Sequence, residues 1–331
     1  MHILITRTTR KNKITLLAAL IFMGAAFGAS LCIGRYPFRF CDIFGADAQA
    51  TQVFWQLRLP RTILAAVSGF GLACAGGVYQ TVFKNPLASP DIIGVSSGAS
   101  AGAAAAILFM GGGTLVTAAF AFGGGMCAVF MALLLAKASA SNHLATFVLS
   151  GIAVNALAQS VLMSMKLMAD PERQLSSIEF WTMGSFADAT ADKLPIALPA
   201  VCVGLCGIFL LHRQIMLLAL DADEAKMLGV RVETLRTVVL ILATLVVGGI
   251  VSVAGLISFI GLLAPHIARL LTKNNNSSTL ALGGIIGAGL LLSADCLTRS
   301  ISVAEIPISI LTSLIGAPFL IYLICKGGKV R

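Results

Sequence analysis

Charged side chains are scarce in this sequence. Asp, Glu, Lys and Arg make up only 11% of the 331 residues, whereas 58% are hydrophobic and the mean hydropathy is +0.95. A soluble domain needs a charged and polar surface, so this composition excludes one and indicates a polytopic membrane protein. Because each spanning helix needs about 20 apolar residues, the length allows about ten spans. We predict one all-α membrane domain over residues 1–331.

Several functional signatures are also missing. No G-x-x-x-x-G-K-[ST] phosphate-binding loop occurs, so any ATP hydrolysis belongs to a separate chain. The net charge of +9 comes without a basic face interleaved with aromatic residues, which excludes a nucleic-acid partner and points to membrane topology. The eight Cys residues lack framework spacing, and Cys202 and Cys206, at i and i+4, are expected to be packing residues. No internal repeat typical of secondary transporters is evident.

Apolar runs of span length recur along the chain. The predicted spans cover residues 14–34, 58–83, 90–110, 114–136, 144–168, 194–212, 236–253, 256–271, 279–297 and 307–325. A signal peptide is the alternative for the first run. However, this run is about 20 residues long and lacks the small residue expected just before Cys32, which favours a span.

The distribution of Lys and Arg predicts the orientation. With the N-terminus inside, the inner side carries Arg7, Arg10, Lys11, Lys13, Lys84, Lys137, Arg213, Lys226, Arg231, Arg236, Arg269, Lys273, Lys326, Lys329 and Arg331. The outer side carries Arg35, Arg39, Arg58, Arg61, Lys166, Arg173, Lys193 and Arg299. Cytoplasmic segments are enriched in these cations, so we predict that both termini are cytoplasmic.

A polar segment at residues 217–236 separates two apolar runs and is predicted to face the cytoplasm. Asp221 stands three residues before Glu224, the Asp/Glu form of a capping box, which predicts a helix start. Gly229 would end that helix after about two turns, and a second short segment is predicted at 230–236. Such a compact loop is a rigid surface on which a partner outside the membrane can act; a charged loop that merely stays hydrated is the alternative. The residues assigned to this coupling surface are Asp221, Asp223, Glu224, Lys226, Leu228, Gly229, Arg231 and Arg236.

Residues 83–98 contain a turn and a possible catalytic motif. Asn85, Pro86 and Pro90 are assigned structural roles, because two prolines four residues apart forbid a continuous helix. The stretch from 94 to 98 matches the G-x-S-x-G nucleophile elbow around Ser96. That elbow requires a preceding strand and a base within reach. The flanks here predict helix, so serine hydrolysis is a distant alternative.

Polar residues inside predicted spans are the next candidates, because ionisable groups at membrane depth usually have a partner or a task. Pro265, His266 and Arg269 lie together in the eighth span, and a lone His makes a poor metal site, so we predict a hydrogen-bonded structural or gating role. Asp295 and Arg299, one helical turn apart, can form an ion pair.

A stripe of polar and soft side chains follows the fifth span at i, i+4 and i+8. It consists of Asn155, Gln159 and Met163. Such a stripe faces either a substrate path or another helix, and both interpretations stay open.

Small residues recur at four-residue steps and predict close helix contacts in lipid. They are Gly69, Ala73 and Gly77, Gly98 with Gly102, and Gly283 with Gly287.

Five stretches in order resemble the permease family of ATP-binding cassette importers for iron-siderophores, haem and cobalamin, called FecCD-type or type II importers. They are LRLPR at 57–61 with Gln80 after it, NPLASPDIIGVSSGASAGA at 85–103, LGVRVETLR at 228–236, FIGLLAPHIARLL at 259–271, and AEIP at 304–307 with GAP at 316–318. The likeness extends from residue 56 to residue 323.

The resemblance implies a non-catalytic permease with ten spans in a bacterial cytoplasmic (inner) membrane. It further implies a dimer, most simply a homodimer, around a central pathway. Two ATPase subunits would bind through residues 217–236, and a substrate-binding protein would dock on the outer face. This chain would bind no cofactor, since ATP and Mg²⁺ are used by the ATPase. The substrate would be an iron-siderophore, haem or cobalamin-type molecule.

The resemblance also implies residue roles. Arginines of the family that receive acidic residues of the binding protein match Arg58, Arg61 and Arg299. The fifth span lines the pathway in relatives, which favours the substrate-path interpretation of its polar stripe. One departure is Ser309, where relatives usually have Gly, and it leaves close packing at that point open. An ion-driven secondary carrier is the alternative function; it would need a buried carboxylate relay, for which Asp295 is the one acid well within a span.

Overall fold

The computed structural model describes residues 2–34, 36, 48–138, 144–301 and 305–325. Within these ranges the chain is helical and contains no strand. The α-helices are α1 His2–Cys32, α2 Ala48–Val53, α3 Leu59–Val82, α4 Val95–Phe109, α5 Thr114–Ala138, α6 Leu144–Met168, α7 Gln174–Met183, α8 Leu194–Leu210, α9 His212–Leu217, α10 Ala222–Met227, α11 Val232–Ala254, α12 Ile260–Thr272, α13 Ser277–Ile301 and α14 Ile308–Cys325. A π-helical turn, Phe54–Arg58, joins α2 to α3, and 3₁₀ turns at Pro90–Ile93 and Ala191–Lys193 precede α4 and α8.

Each predicted span corresponds to an observed helix. In the part of the chain that the structure describes, seven helical segments are long and apolar enough to cross a membrane: Asn12–Cys32, Ala48–Val82, Thr114–Ala138, Ala145–Met168, Ala191–Leu210, Val232–Ala254 and Ser277–Ile301. The other three predicted spans contain the shorter apolar helices Val95–Phe109, Ile260–Thr272 and Ile308–Tyr322. At about 1.5 Å per residue, α12 is only about 20 Å long, against a hydrocarbon core of about 30 Å. Residues 255–259, which precede this helix and include the predicted start of the span, are non-helical.

The centre of the bundle is formed by α3, α11 and α13. Most of their apolar windows are buried inside the chain, 78%, 67% and 72% respectively, whereas the windows of α1 and α6 are only 17% buried. The peripheral helices therefore leave their apolar faces for lipid or for another subunit, while the three central helices form the core.

Helix contacts occur at the predicted small residues. A Cβ added to Gly69 of α3 would overlap the backbone of Gly287 in α13, and one added to Gly102 of α4 would overlap Phe120 in α5. Small residues permit this approach, and dispersion and weak contacts then stabilise the helix pairs in lipid. The prediction of close small-residue contacts is confirmed.

The start of α12 lies against the middle of α3. Pro265 lacks an N–H, so the carbonyl of Gly261, four residues earlier, has no donor from that position. A Cβ at Gly76 would overlap this oxygen, which shows how closely the backbone of α3 approaches it.

Ser309, the departure from the family pattern, has a clear structural role. Its hydroxyl donates to the carbonyl oxygen of Leu256 at 2.6 Å. The side chain thus supplies a donor to the non-helical segment before α12. At the start of α14 the preceding residue, Ile308, is buried, and its amide donates to the Gly184 carbonyl at 2.9 Å.

The bundle has two ends, which we name after one residue each. The Arg61 end contains the start of α3, the start of α5, α7 and the end of α13. The Asp221 end contains the end of α3, the start of α4, α9 and α10. Helices α2, α7 and α9 were not predicted from the sequence. Of the cations that orient the chain, Arg35, Arg39, Lys326, Lys329 and Arg331 lie outside the described residues.

Candidate functional site

The short helix α10 begins and ends where the sequence predicts. Asp221 is the N-cap residue with extended backbone (ψ 149°), and Gly229 adopts the left-handed conformation at φ +80°. The predicted capping box is wrong, however, since the Asp221 side chain makes no capping hydrogen bond. Its carboxylate accepts instead from Lys84 Nζ at 3.1 Å, which ties α10 to the chain that follows α3.

The predicted second short segment at 230–236 is also wrong as a separate element. Arg231 is the N-cap of α11, and residues from Val232 onward form the first turns of that long helix. No Gly or Pro interrupts α11 before Gly248, so helix formation propagates without a break. The two short helices of residues 212–227 are α9 and α10 instead.

Helix α10 is anchored on one side and exposed on the other. Ala225 is fully buried, and its carbonyl accepts from the Val230 amide at 3.1 Å. By contrast, Met227 is 88% exposed and Leu228 61% exposed. Asp223 and Lys226 form a surface pair at 3.2 Å. An exposed apolar tip on a helix that is rigidly held is typical of a docking surface.

Met227 was missed in the sequence analysis, whereas Leu228 was included. The signal was present as two large apolar residues immediately before Gly229 in an otherwise polar segment. A helix of only two turns cannot show from periodicity alone which of its apolar residues is buried. The other assigned residues Glu224 and Arg231 are exposed, while Arg236 is partly buried with its guanidinium 5.4 Å from the Phe147 ring centroid.

The loop between α3 and α4 lies beside α10. Asn85 accepts a hydrogen bond from the Leu87 amide, and Pro90 opens a single 3₁₀ turn. The Ser96 hydroxyl donates to the Asp91 carboxylate. Helical turns flank Ser96 on both sides, so the strand that a nucleophile elbow needs is not found in the described part of the chain. Pro86 and Pro90 break the helix as predicted.

Arg269 of α12 is tied to α3 through Gln80. The guanidinium donates to Gln80 Oε1, and Gln80 Nε2 donates to the Leu262 carbonyl at 3.2 Å. His266 is buried, but neither ring nitrogen has a hydrogen-bond partner in the described residues; its ring packs edge-on against Phe319 at 6.2 Å. The prediction of a hydrogen-bonded His266 is therefore wrong: the Phe319 ring lies against the imidazole, and the Arg269 guanidinium, one turn further on, bonds Gln80. The gating role stays a prediction.

Three arginines and two carboxylates form a buried cluster at the Arg61 end. Arg61 contacts Asp295 at 2.8 Å and Glu305 at 3.0 Å. Arg299 contacts Asp295 at 3.0 Å, which confirms the predicted pair. The two carboxylates balance only two of the three positive charges, so the third arginine needs other hydrogen-bond acceptors.

Backbone carbonyls at the C-terminal end of α1 supply those acceptors. Arg58 donates to Leu31 O at 3.0 Å and Cys32 O at 3.2 Å, and Arg299 donates to Ser30 O at 3.2 Å. The end of a helix carries unsatisfied carbonyls and partial negative charge, so cations are favourable there. The cluster thereby joins α1 to α3 and α13.

The three arginines predicted to dock a binding protein are thus buried, each at most 9% exposed. Their guanidinium groups are occupied by partners within the chain. The docking role stays a prediction, and any incoming carboxylate would have to compete with these partners.

The polar stripe of α6 faces away from the core. Gln159 and Met163 are exposed and Asn155 is half-buried. The same helix exposes Leu149 by 68% and Leu167 by 89%. Its outward face therefore combines apolar residues with a narrow polar line.

Comparison with known proteins identifies the class. The model of the FecCD transport family matches residues 18–326, and the chain belongs to this family. Permeases of this family are non-catalytic membrane subunits of ABC importers whose ATPase is a separate chain. The chain is accordingly a multi-pass, membrane-spanning permease.

The names of individual relatives specify different substrates. The molybdate import permease MolB of Haemophilus influenzae is 39% identical over 90% of this chain and 92% of its own. The cobalamin import permease BtuC of Halobacterium salinarum is 34% identical over 85% of this chain and 75% of its own. The Fe(3+)-citrate import permease YfmE of Bacillus subtilis is 35% identical over 96% of this chain and 97% of its own.

A solved structure shares the fold. It is the inward-facing conformation of an ABC transporter described as being of metal-chelate type, 35% identical, with a TM-score of 0.85 over 95% of this chain and 99% of its own. This similarity confirms the all-α permease fold expected from the resemblance.

Proposed function

We propose that this chain is the permease subunit of a homodimeric importer that moves a metal chelate into the cytoplasm. An iron-siderophore, haem or cobalamin-type molecule is the substrate class. A binding protein delivers the substrate at the Arg61 end, and two ATPase subunits act at the Asp221 end. The Asp221 end is cytoplasmic, as are both termini, in the inner membrane of a bacterium. ATP and Mg²⁺ are used by the ATPase.

The observation that carries this proposal is the geometry of α10. The helix is anchored through buried Ala225 and the Lys84–Asp221 pair, and it presents Met227 and Leu228 to solvent. Movement of a docked ATPase would therefore be transmitted to α3 and α11, both of which lie in the core. A rigid link of this kind is what domain closure needs to open one side of a pathway.

The outward face of α6 supports the homodimer. An exposed apolar face with a polar line through Asn155, Gln159 and Met163 fits a second copy that covers the apolar part and leaves the polar line on the pathway. In an isologous dimer, one copy of this stripe from each subunit would face the central axis.

The substrate has a second candidate, molybdate, because the MolB relative is 39% identical. The test is a binding titration of the system's binding protein against ferric siderophores, haem, cobalamin and molybdate. Saturation by one of the three chelates is the expected result. Saturation by molybdate alone would contradict the chelate proposal and favour the oxyanion.

The coupling role is tested with Met227→Asp in the assembled complex in proteoliposomes. A charge at the tip of an interface anchor costs about 2 kcal/mol or more, so we expect ATPase affinity to fall about 30-fold and ATP-driven uptake with it. Met227→Leu, which keeps the apolar tip, should retain both. Unchanged uptake by Met227→Asp, or uptake driven by an ion gradient without the ATPase, would contradict the proposal.

A further inference from the structure

A cavity of 650 Å³ opens at the Asp221 end, between the ends of α3 and α12 and the chain that precedes α10. Three cations line it: Lys84, Arg269 and Lys273. Lys84 also binds Asp221, the N-cap of α10, so the cavity lies on the anchored side of this helix and apart from its exposed tip. The described lining contains no Asp or Glu.

Arg269 is the least exposed of the three cations. It is partly buried, and its guanidinium donates to Oε1 of Gln80, a side chain only 4% exposed. An amide oxygen brings no negative charge, and neither Arg269 nor Lys273 has an ion-pair partner in the described part of the chain. A cation held away from bulk water without a counter-charge is costly, so the cavity beside it is suited to an anion.

Positive charge exceeds negative charge around the cavity. Asp221 balances Lys84. The C-terminal ends of α3 and α12, at Val82 and Thr272, contribute about half a negative charge each. The three cations therefore leave a surplus of about one positive charge, which a singly charged anion would neutralise.

The rest of the lining restricts the kind of anion. Asn85, Asn274 and Asn275 have side-chain amides that can bind hydroxyl groups. Because the described lining lacks a carboxylate, an ammonium group on the ligand would find no partner there. Leu270, 38% exposed, adds apolar surface. The volume suits an organic ligand, since such sites typically measure about 300 to 1,000 Å³.

The depth of the cavity in the membrane indicates a source of the ligand. Helices α3 and α12 both end at the cavity, and spanning helices end where the hydrocarbon core meets the headgroup layer. Basic pockets between spanning helices at this depth bind anionic lipid headgroups. A guanidinium group is well suited to such a ligand, because it donates two parallel hydrogen bonds to a phosphate.

We propose that this cavity binds a singly charged phosphate diester that carries hydroxyl groups. A phospholipid with a glycerol headgroup has this chemistry, and so does the water-soluble diester without acyl chains. Arg269 and Lys273 would donate to the phosphate oxygens, and the asparagine amides would bind the glycerol hydroxyls. The site is independent of the transported substrate and of ATP hydrolysis, so it can be tested on the permease alone.

Native mass spectrometry of the full-length permease in detergent provides the test. The probes are dioleoylphosphatidylglycerol, dioleoylphosphatidylcholine and glycerophosphoglycerol, which lacks acyl chains. We expect the glycerol lipid to bind at least about tenfold more tightly than the choline lipid, whose acyl chains are the same and whose headgroup adds a cation. Saturable binding of glycerophosphoglycerol would support the site with a free diester as source, and binding of the glycerol lipid alone would support it with the membrane as source. Equal binding of the two lipids would overturn the proposal.

Single substitutions locate the site. Arg269→Gln and Lys273→Gln should each weaken binding of the glycerol lipid about tenfold. Arg269→Lys, which keeps the charge and loses the planar fork, should weaken it less. Because Lys273 is exposed, its variant separates a lost ligand contact from a disturbed fold.

Arg213→Gln is the matched control, since Arg213 is an exposed cation near the same end that does not line the cavity. Its affinity for the glycerol lipid should stay within about twofold of the unmodified permease. An equal loss in Arg213→Gln and Lys273→Gln would overturn the proposal, because it would show a general attraction of anionic lipid to cations at this surface.

An acidic side chain of the ATPase is the competing occupant. In the assembled complex we expect the glycerol lipid to remain bound and Lys273→Gln to leave the ATPase affinity unchanged. Release of the lipid on assembly, together with weaker ATPase binding in Lys273→Gln, would overturn the proposal and assign the cavity to the ATPase interface.

Discussion

Ion pairs at the two ends of the bundle differ in their exposure to solvent. In the Arg61–Asp295 pair the side chains are 9% and 1% exposed, whereas in the Lys84–Asp221 pair they are 35% and 86% exposed. The buried charges join three helices and have no freedom to meet a partner without breaking existing contacts. The exposed pair joins Asp221, the N-cap of α10, to Lys84 in the loop after α3, and it leaves the Asp221 carboxylate largely open to solvent. The Arg61–Asp295 pair thus holds core helices together, whereas the Lys84–Asp221 pair holds a surface helix in place. Lys166 and Glu179, also at the Arg61 end, form a more exposed pair, with side chains 26% and 44% exposed.

The largest expected effect is that of Asp295→Asn, which leaves Arg61 and Arg299 buried without their shared carboxylate. Breaking a buried pair costs about 3 to 5 kcal/mol. We expect a large fall in thermal stability in detergent, measured by the loss of monodisperse protein on heating. Asp221→Asn, at the other end, should cost no more than about 1 kcal/mol. Similar effects of the two substitutions would remove the distinction between the ends.

A smaller effect is expected for Glu305→Gln. The Arg61–Glu305 contact is charge-assisted, and the Glu305 side chain is 21% exposed, so water replaces part of what is lost. We expect destabilisation of about 1 to 2 kcal/mol. A double-mutant cycle with Arg61→Gln should give a coupling energy above about 0.5 kcal/mol, against about 0.3 for the exposed Asp223–Lys226 pair. Equal couplings would contradict the ranking by burial.

The smallest effect on stability is expected for Lys84→Gln, which removes the exposed pair with Asp221. The cost should lie below about 0.5 kcal/mol and should vanish at 1 M salt, where the Debye length is about 3 Å. Because the pair fixes α10 to the end of α3, transport per ATP hydrolysed in the assembled complex should fall more than stability does. A loss of stability without any change in that ratio would show that the pair is structural only.

Features that depend on residues close together in the sequence were predicted, whereas contacts between distant residues were not. The spans, the start of α10 and the left-handed Gly229 were predicted, because hydropathy and turn chemistry are local. The Asp295–Arg299 pair was predicted for the same reason, since its members are four residues apart. Arg61, 234 residues from Asp295 along the chain, was not connected to it, because no local pattern reports such a contact.

The errors have physical causes of the same kind. A capping box was predicted at Asp221, but Lys84, brought near by the tertiary fold, binds the carboxylate instead. His266 was expected to find a hydrogen-bond partner, whereas its ring contacts Phe319. Local composition indicates that a side chain needs a partner, and the packing of distant helices decides which one it has. The docking and pathway roles of residues stay predictions.

The contact between Gly76 and Gly261 links position 76 of α3 to position 265 of α12, which lie far apart in the sequence. Pro265 withholds an amide from the Gly261 oxygen, and Gly76 leaves the space in which that oxygen lies. Ala at 265 would offer the oxygen a new donor within α12, and any larger residue at 76 would collide with it. Positions 76 and 265 are therefore expected to constrain each other: whether a substitution is tolerated at one depends on the amino acid present at the other.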